Sequence, residues 1–112
     1  MASLPIARTG AGDLVANIEC MPPPGELPIL AGQIANVTVG GFPVHVFGDP
    51  ITLHPYNCVT GDTHTPTLLS TNTTVTVGGL PIGRLGDPYF EIPDPCTGTI
   101  GTILQSTVFA GD

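Results

Sequence analysis

Short stretches of strict apolar and polar alternation organise this chain. Val37 and Val39 alternate with Asn36 and Thr38, and Val75 and Val77 alternate with Thr74 and Thr76. That is the period-two pattern of a strand with one buried face. Each run ends on a Gly-Gly pair, Gly40-Gly41 or Gly78-Gly79, followed by Phe42-Pro43-Val44 or Leu80-Pro81-Ile82. Gly-Gly suits a tight hairpin turn that needs positive φ, and the proline tolerates only an edge or strand-start position. The pattern predicts short hairpins. No window carries convincing apolar spacing at i, i+3, i+4 and i+7, so the expected fold class is all-β.

The hairpin pattern recurs. Val37 to Pro50 (VTVGGFPVHVFGDP) and Val75 to Pro88 (VTVGGLPIGRLGDP) are identical at nine of fourteen positions. At the same offset of 38 residues stand Pro5, Pro43 and Pro81, then Gly10, Gly48 and Gly86, then Cys20, Cys58 and Cys96. Such a period fixes the architecture before any residue chemistry is read. The third copy is divided between the two ends: Leu4 to Gly10 supplies its second half and Thr107 to Gly111 its first. An open array would carry whole or capping repeats at both ends. A divided unit predicts instead that the C-terminal strand lies beside the N-terminal one, in a compact, tapered body of hairpins with pseudo-threefold symmetry. The symmetry is imperfect. Cys20 to Val37 and Cys58 to Val75 each span 17 positions but Cys96 to Val108 spans 12, and Asp13 falls two places later than Asp49 and Asp87 would put it.

At 112 residues the chain predicts one domain, residues 1–112. Its 15 Gly and 13 Pro would suit disorder, but strict repetition and 41% hydrophobic residues favour an ordered fold. Nine acidic residues face only Arg8 and Arg84, a net charge of −7, so there is no basic patch to neutralise the phosphates of a nucleic acid. The stretch from Met1 to Arg8 is too short in apolar residues for a secretory signal, and nothing approaches a membrane span. The expected place of synthesis is the cytoplasm.

Candidate chemistry gathers around the cysteines. His54 and His64 flank Cys58 in HPYNCVTGDTH, the one His/Cys cluster of the sequence. If the three cysteine loops converge at one end of the threefold axis, soft thiolates and an imidazole could form a closed structural site for Zn²⁺, with iron as the second choice. A domain with so small a core gains from such a staple. Two other readings stand beside it: inert buried thiols, or a disulfide that leaves one cysteine free. An odd cysteine count without a secretion signal argues against the disulfide. His45, where the other copies have Ala7 and Gly83, reads as a strand or interface histidine. The pairs Gly12-Asp13, Gly48-Asp49 and Gly86-Asp87 could suggest calcium ligands, but an Asp that caps local backbone N–H groups in a Gly turn explains them better. Three symmetry-related cysteines look structural rather than catalytic, so no enzyme activity is expected.

Pro5-Ile6-Ala7-Arg8 and Pro81-Ile82-Gly83-Arg84, with their Gly-rich turns, Gly-Asp pairs, preceding strands and the closing Thr107 to Gly111, resemble the Pro-Ala-Ala-Arg motif of the PAAR-repeat family. The likeness spans nearly the whole chain. It implies a sharp cone whose base sits on a trimeric β-helical spike, one chain per trimer and not a homo-oligomer, and whose apex binds a metal. It implies a structural piercing tip of a contractile injection machine: a phage tail, a type VI secretion system or a related extracellular system. Such a tip touches the target envelope transiently. The family's site commonly combines three histidines with one cysteine. Here the pool is Cys20, His54, Cys58, His64 and Cys96, of which four should bind. The central copy has Val46 where Arg8 and Arg84 stand, so contacts made by those arginines should be missing there. The alternatives are a small metal-binding adhesion or interaction module and a small hydrolase using the His/Cys cluster. The absence of an extension argues against an attached toxin domain.

Overall fold

The Gly-Gly pairs turn the chain where the pattern requires. Gly40 and Gly41 have φ of 58° and 86°, Gly78 and Gly79 of 61° and 81°, the two positive values that let a two-residue turn follow the strand twist. Thr38–Val39 therefore folds onto Phe42–Pro43, and Thr76–Val77 onto Leu80–Pro81. The third hairpin has no turn. Leu4–Pro5 pairs antiparallel with Phe109–Ala110, Leu4 opposite Ala110 and Pro5 opposite Phe109. The chain ends thus complete the divided repeat, and equivalent bonds mark the register: Ile6, Val44 and Ile82 donate their N–H groups to the carbonyls of Val108, Val37 and Val75. This computed structural model describes residues 3–30, 32–70, 72, 74–91 and 96–110. All regular elements among them are strands, thirteen in number, paired antiparallel. The radius of gyration is 13.4 Å, close to the roughly 13 Å expected of a compact chain of this length.

The three hairpins lock together through a cyclic set of backbone bonds. Ala7 N–H donates to the Gly83 carbonyl (3.0 Å), Gly83 to His45 (2.7 Å) and His45 back to Ala7 (3.0 Å). Around that ring, Thr9, Phe47 and Leu85 donate to the carbonyls of Pro43, Pro81 and Pro5. Each hairpin bonds to the next and the third to the first, which is pseudo-threefold closure in one chain. Alternation along the strands sends side chains to two opposite sides. Ile6, Val44, Val46, Ile82 and Ala110 form one buried cluster beside the hairpins. Ala7 joins Val15, Ile18, Ile29, Ile51, Leu68, Tyr89 and Ile100 in the other.

The ring position itself corrects one expectation. His45 is no interface residue: it is fully buried, its Nε2 2.6 Å from the Tyr89 hydroxyl and its Nδ1 3.2 Å from Asp49 Oδ2. Of the three equivalent positions in this ring of backbone bonds, Ala7, His45 and Gly83, only the central copy carries a large side chain. A Cβ on Gly83 would stand 2.7 Å from Leu68 Cδ2 and 2.9 Å from the His45 carbonyl oxygen. Leu68 and the His45 backbone thus fill the space that a side chain at Gly83 would need. The arginines differ too. Arg8 lies over the Phe42 ring and reaches the Val39 carbonyl (3.4 Å), while Val46 in the central copy is apolar core.

The Gly-Asp turns work as backbone caps. Asp13, Asp49 and Asp87 accept the N–H groups of Arg8, Val46 and Arg84, each at 2.8 Å. The displaced Asp13 of the remodelled first turn still makes the equivalent bond. The environments differ, however. At Asp49 burial is the largest influence and raises the carboxyl, but His45 and the groups of Val46 and Gln33 outweigh it and hold the pKa below the usual range. At Asp87 burial wins over Arg84 and Ser70 and the pKa is raised. A depressed folded value adds stability above the ordinary aspartate range that is lost on acidification; a raised one costs stability at neutral pH and the cost fades as pH falls. Asp49→Asn should therefore destabilise by about 2 kcal/mol at pH 7 and Asp87→Asn by under about 1 kcal/mol. Urea unfolding of both variants checks this, and equal losses would contradict it.

Candidate metal centre

Three loops beyond the second core cluster bring four donor groups together. The first follows the strand Leu14–Ala16 and folds on itself through bonds from Asn17 and Ile18 to the carbonyls of Pro24 and Gly25. Asn17 (φ 61°) and Cys20 (φ 64°) are left-handed and bracket Glu19. The second is the hairpin His54–Pro55 with Thr63–His64, in which His54 stands opposite His64. Directly opposed residues share a sheet face, so ten positions of sequence become a T-shaped ring pair with centroids 4.5 Å apart. The third loop carries Cys96.

Glu19 is the hub. Its Oε1 lies 2.5 Å from His54 Nε2 and 2.7 Å from His64 Nε2, and its Oε2 accepts the Thr97 N–H (2.8 Å) and hydroxyl (2.9 Å). One carboxylate thereby ties all three loops. Burial pushes it up, but the Thr97 N–H, the two imidazoles and the Thr97 hydroxyl bring it down to about 2. Cys96 Sγ sits 4.0 Å from His54 Nε2 and accepts the Gly98 N–H. Burial, with the charges of Glu19 and Glu91, pushes its thiol up to about 11.

The protons do not fit this cluster well without a cation. Thr52 offers only a carbonyl to His54 Nδ1 at 2.9 Å, so that nitrogen carries the hydrogen and a neutral ring presents Nε2 as a lone pair. The two Nε2 atoms face each other at 2.9 Å over one carboxylate oxygen. His64 Nδ1 is buried without a hydrogen-bond partner among the described residues. One ion would replace these competing demands with coordination, and a cation would also favour the Cys96 thiolate. Ligand atoms about 2.0–2.3 Å from a tetrahedral zinc lie roughly 3.3–3.6 Å apart; here all four fall within 4.8 Å of one another. Glu19, His54, His64 and Cys96 are a cluster able to hold a metal.

Of the five residues expected from the sequence, the structure brings His54, His64 and Cys96 together. Cys20 and Cys58 are corrected: they form a disulfide, Cα atoms 5.2 Å apart, so neither sulfur is a free donor. The three cysteines do not converge. The first two loops approach within bridging reach, while the third, five residues shorter before its strand, sets Cys96 beside the histidines. Glu19 was missed. Its signal was an acid directly before Cys20, in the loop that lacks a histidine. The Gly-Asp carboxylates are occupied by backbone N–H groups, as turn chemistry predicts.

Compared with known proteins, the chain matches no protein-family model and no curated protein.

Proposed function

We propose that this chain is the metal-clamped tip of a contractile injection machine, a structural point that caps a trimeric β-helical spike. The observation that carries the reading is the cyclic closure of three hairpins, one assembled from the two chain ends. A single chain so built offers nearly the same edge three times, as a base seated on three identical subunits must. Val37, Phe42, Val108 and Phe109, on or beside these hairpins, are 37–47% exposed, apolar surface suited to burial against a partner. The donors of the metal cluster suit zinc first and iron second. A metal there binds three loops to one another, so that the tip resists deformation when the sheath contracts and the point meets the target envelope.

The role is mechanical. In this reading Cys96 is a metal ligand rather than a free nucleophile, which weighs against a cysteine hydrolase. The protein is made in the cytoplasm and carried at the end of the spike of a phage tail or secretion apparatus. Native mass spectrometry with a trimeric β-helical spike tests the proposal: one copy of this chain per trimer is expected. Three copies per trimer, or stable homotrimers of the chain alone, would refute it, and no binding to any such spike would favour a free-standing metal-binding interaction module.

A further inference from the structure

The Cys20–Cys58 disulfide plays no part in coordination, yet its position relates it to the ligands. Cys20 follows Glu19 directly, and Cys58 lies in the turn of the hairpin whose two strands carry His54 and His64. The bridge therefore joins the two loops that supply three of the four donors. Of the metal cluster only Cys96, a free thiol, lies on a loop the bridge does not reach. The turn around Cys58 is held mainly by local bonds: Gly61 N–H to the Asn57 carbonyl, and the Val59 and Thr60 N–H groups to Asn57 Oδ1. Across the two loops Glu19 meets both imidazoles, and these are contacts a bound ion would replace. With the metal in place the disulfide is thus the covalent tie that keeps these loops in register.

We propose that the redox state of Cys20–Cys58 sets the affinity of the metal centre, the oxidised chain binding its ion tightly and the reduced chain weakly. The inference rests on the metal reading of Glu19, His54, His64 and Cys96. Closing a loop of 38 residues beforehand removes chain entropy that the ion would otherwise have to overcome when it gathers its donors. Linkage makes the effect reciprocal, so the ion must protect the disulfide by the same factor by which the disulfide tightens the ion. The chemistry is ordinary exchange with a small-molecule thiol. Two RSH reduce the bridge by two electrons, through a mixed disulfide at one sulfur. Cys20 and Cys58 each end as a thiol with one proton, and RS–SR leaves. Cys58 is exposed to such a reagent. A chain passing from a reducing to an oxidising compartment would harden its metal centre on the way.

Two measurements test the coupling. Competition against a chromophoric chelator gives the zinc affinity of the oxidised protein and of the C20S/C58S variant; at least tenfold weaker binding by the variant is expected, about 1.4 kcal/mol. Should that variant not fold, the wild-type chain still decides the matter. Its disulfide is equilibrated in glutathione buffers with and without buffered free zinc, quenched in acid, alkylated and weighed. Zinc should raise the [GSH]²/[GSSG] ratio at half reduction by the same factor, and C96S should abolish the shift. Equal zinc affinities, an unmoved midpoint, or a midpoint moved the other way because zinc prefers the freed thiols, would overturn the coupling while leaving the metal centre standing. Failure of the oxidised wild type to bind zinc at all would overturn both.

Discussion

Protein purified without chelator will contain close to one zinc per chain, and removing it with EDTA will lower the melting temperature by roughly 10–20 °C, the consequence of about 3–5 kcal/mol. The estimate lies well below the free energies of zinc-finger peptides because this chain keeps two buried apolar clusters and a disulfide when the metal leaves. What it loses is the ion shared by Glu19, His54, His64 and Cys96 across three loops. Glu19→Ala, His64→Ala and Cys96→Ala should each lose the metal and become indifferent to EDTA. The Glu19 variant is the sharpest, because its carboxylate also holds the third loop through Thr97. Elemental analysis and calorimetry measure both quantities. A metal content near zero together with EDTA-independent melting would remove the structural site from the description of this protein.

Legibility in the sequence followed the repeat. The hairpins at Gly40-Gly41 and Gly78-Gly79 and the capping role of Asp49 and Asp87 could be read from residues at the shared offset, and the pairing of the two ends and the cap of Asp13 from the same patterns at shifted positions, since each depends on local turn chemistry or on one translation of a known pattern. The centre was readable only in part, because it is built where the repeat breaks down. His54 and His64 belong to one loop and were found. Glu19 and the Cys20–Cys58 bridge depend on how loops of unequal course meet in space, and equal spacing suggested a symmetric convergence of three cysteines that the shorter third loop does not permit. His45 was misread for a related reason. A polar residue at a position where its equivalents are Ala7 and Gly83 looks dispensable in one dimension. In the fold it is a fully buried side chain with Tyr89 and Asp49 as its neighbours.

That position carries the other large expected effect. His45→Ala should destabilise the protein by about 3–5 kcal/mol, more than any exposed substitution, with the melting temperature falling by roughly 10–20 °C. Three losses combine. The ring leaves a cavity at the centre of the structure, where the cyclic backbone bonds of Ala7, His45 and Gly83 limit collapse. The Tyr89 hydroxyl, 3% exposed as a residue, loses its 2.6 Å partner, and an unsatisfied buried hydroxyl costs about 1–3 kcal/mol. Asp49, which is fully buried, loses the imidazole that offsets its burial, so its carboxyl should rise and acid unfolding should begin at higher pH. Tyr89→Phe separates the terms: it removes one hydrogen bond and keeps the packing, and should cost only about 1 kcal/mol. The metal content of both variants should stay at one per chain, since neither residue donates to the centre. A His45→Ala loss below about 1 kcal/mol would mean that this ring is not the filled core position described above.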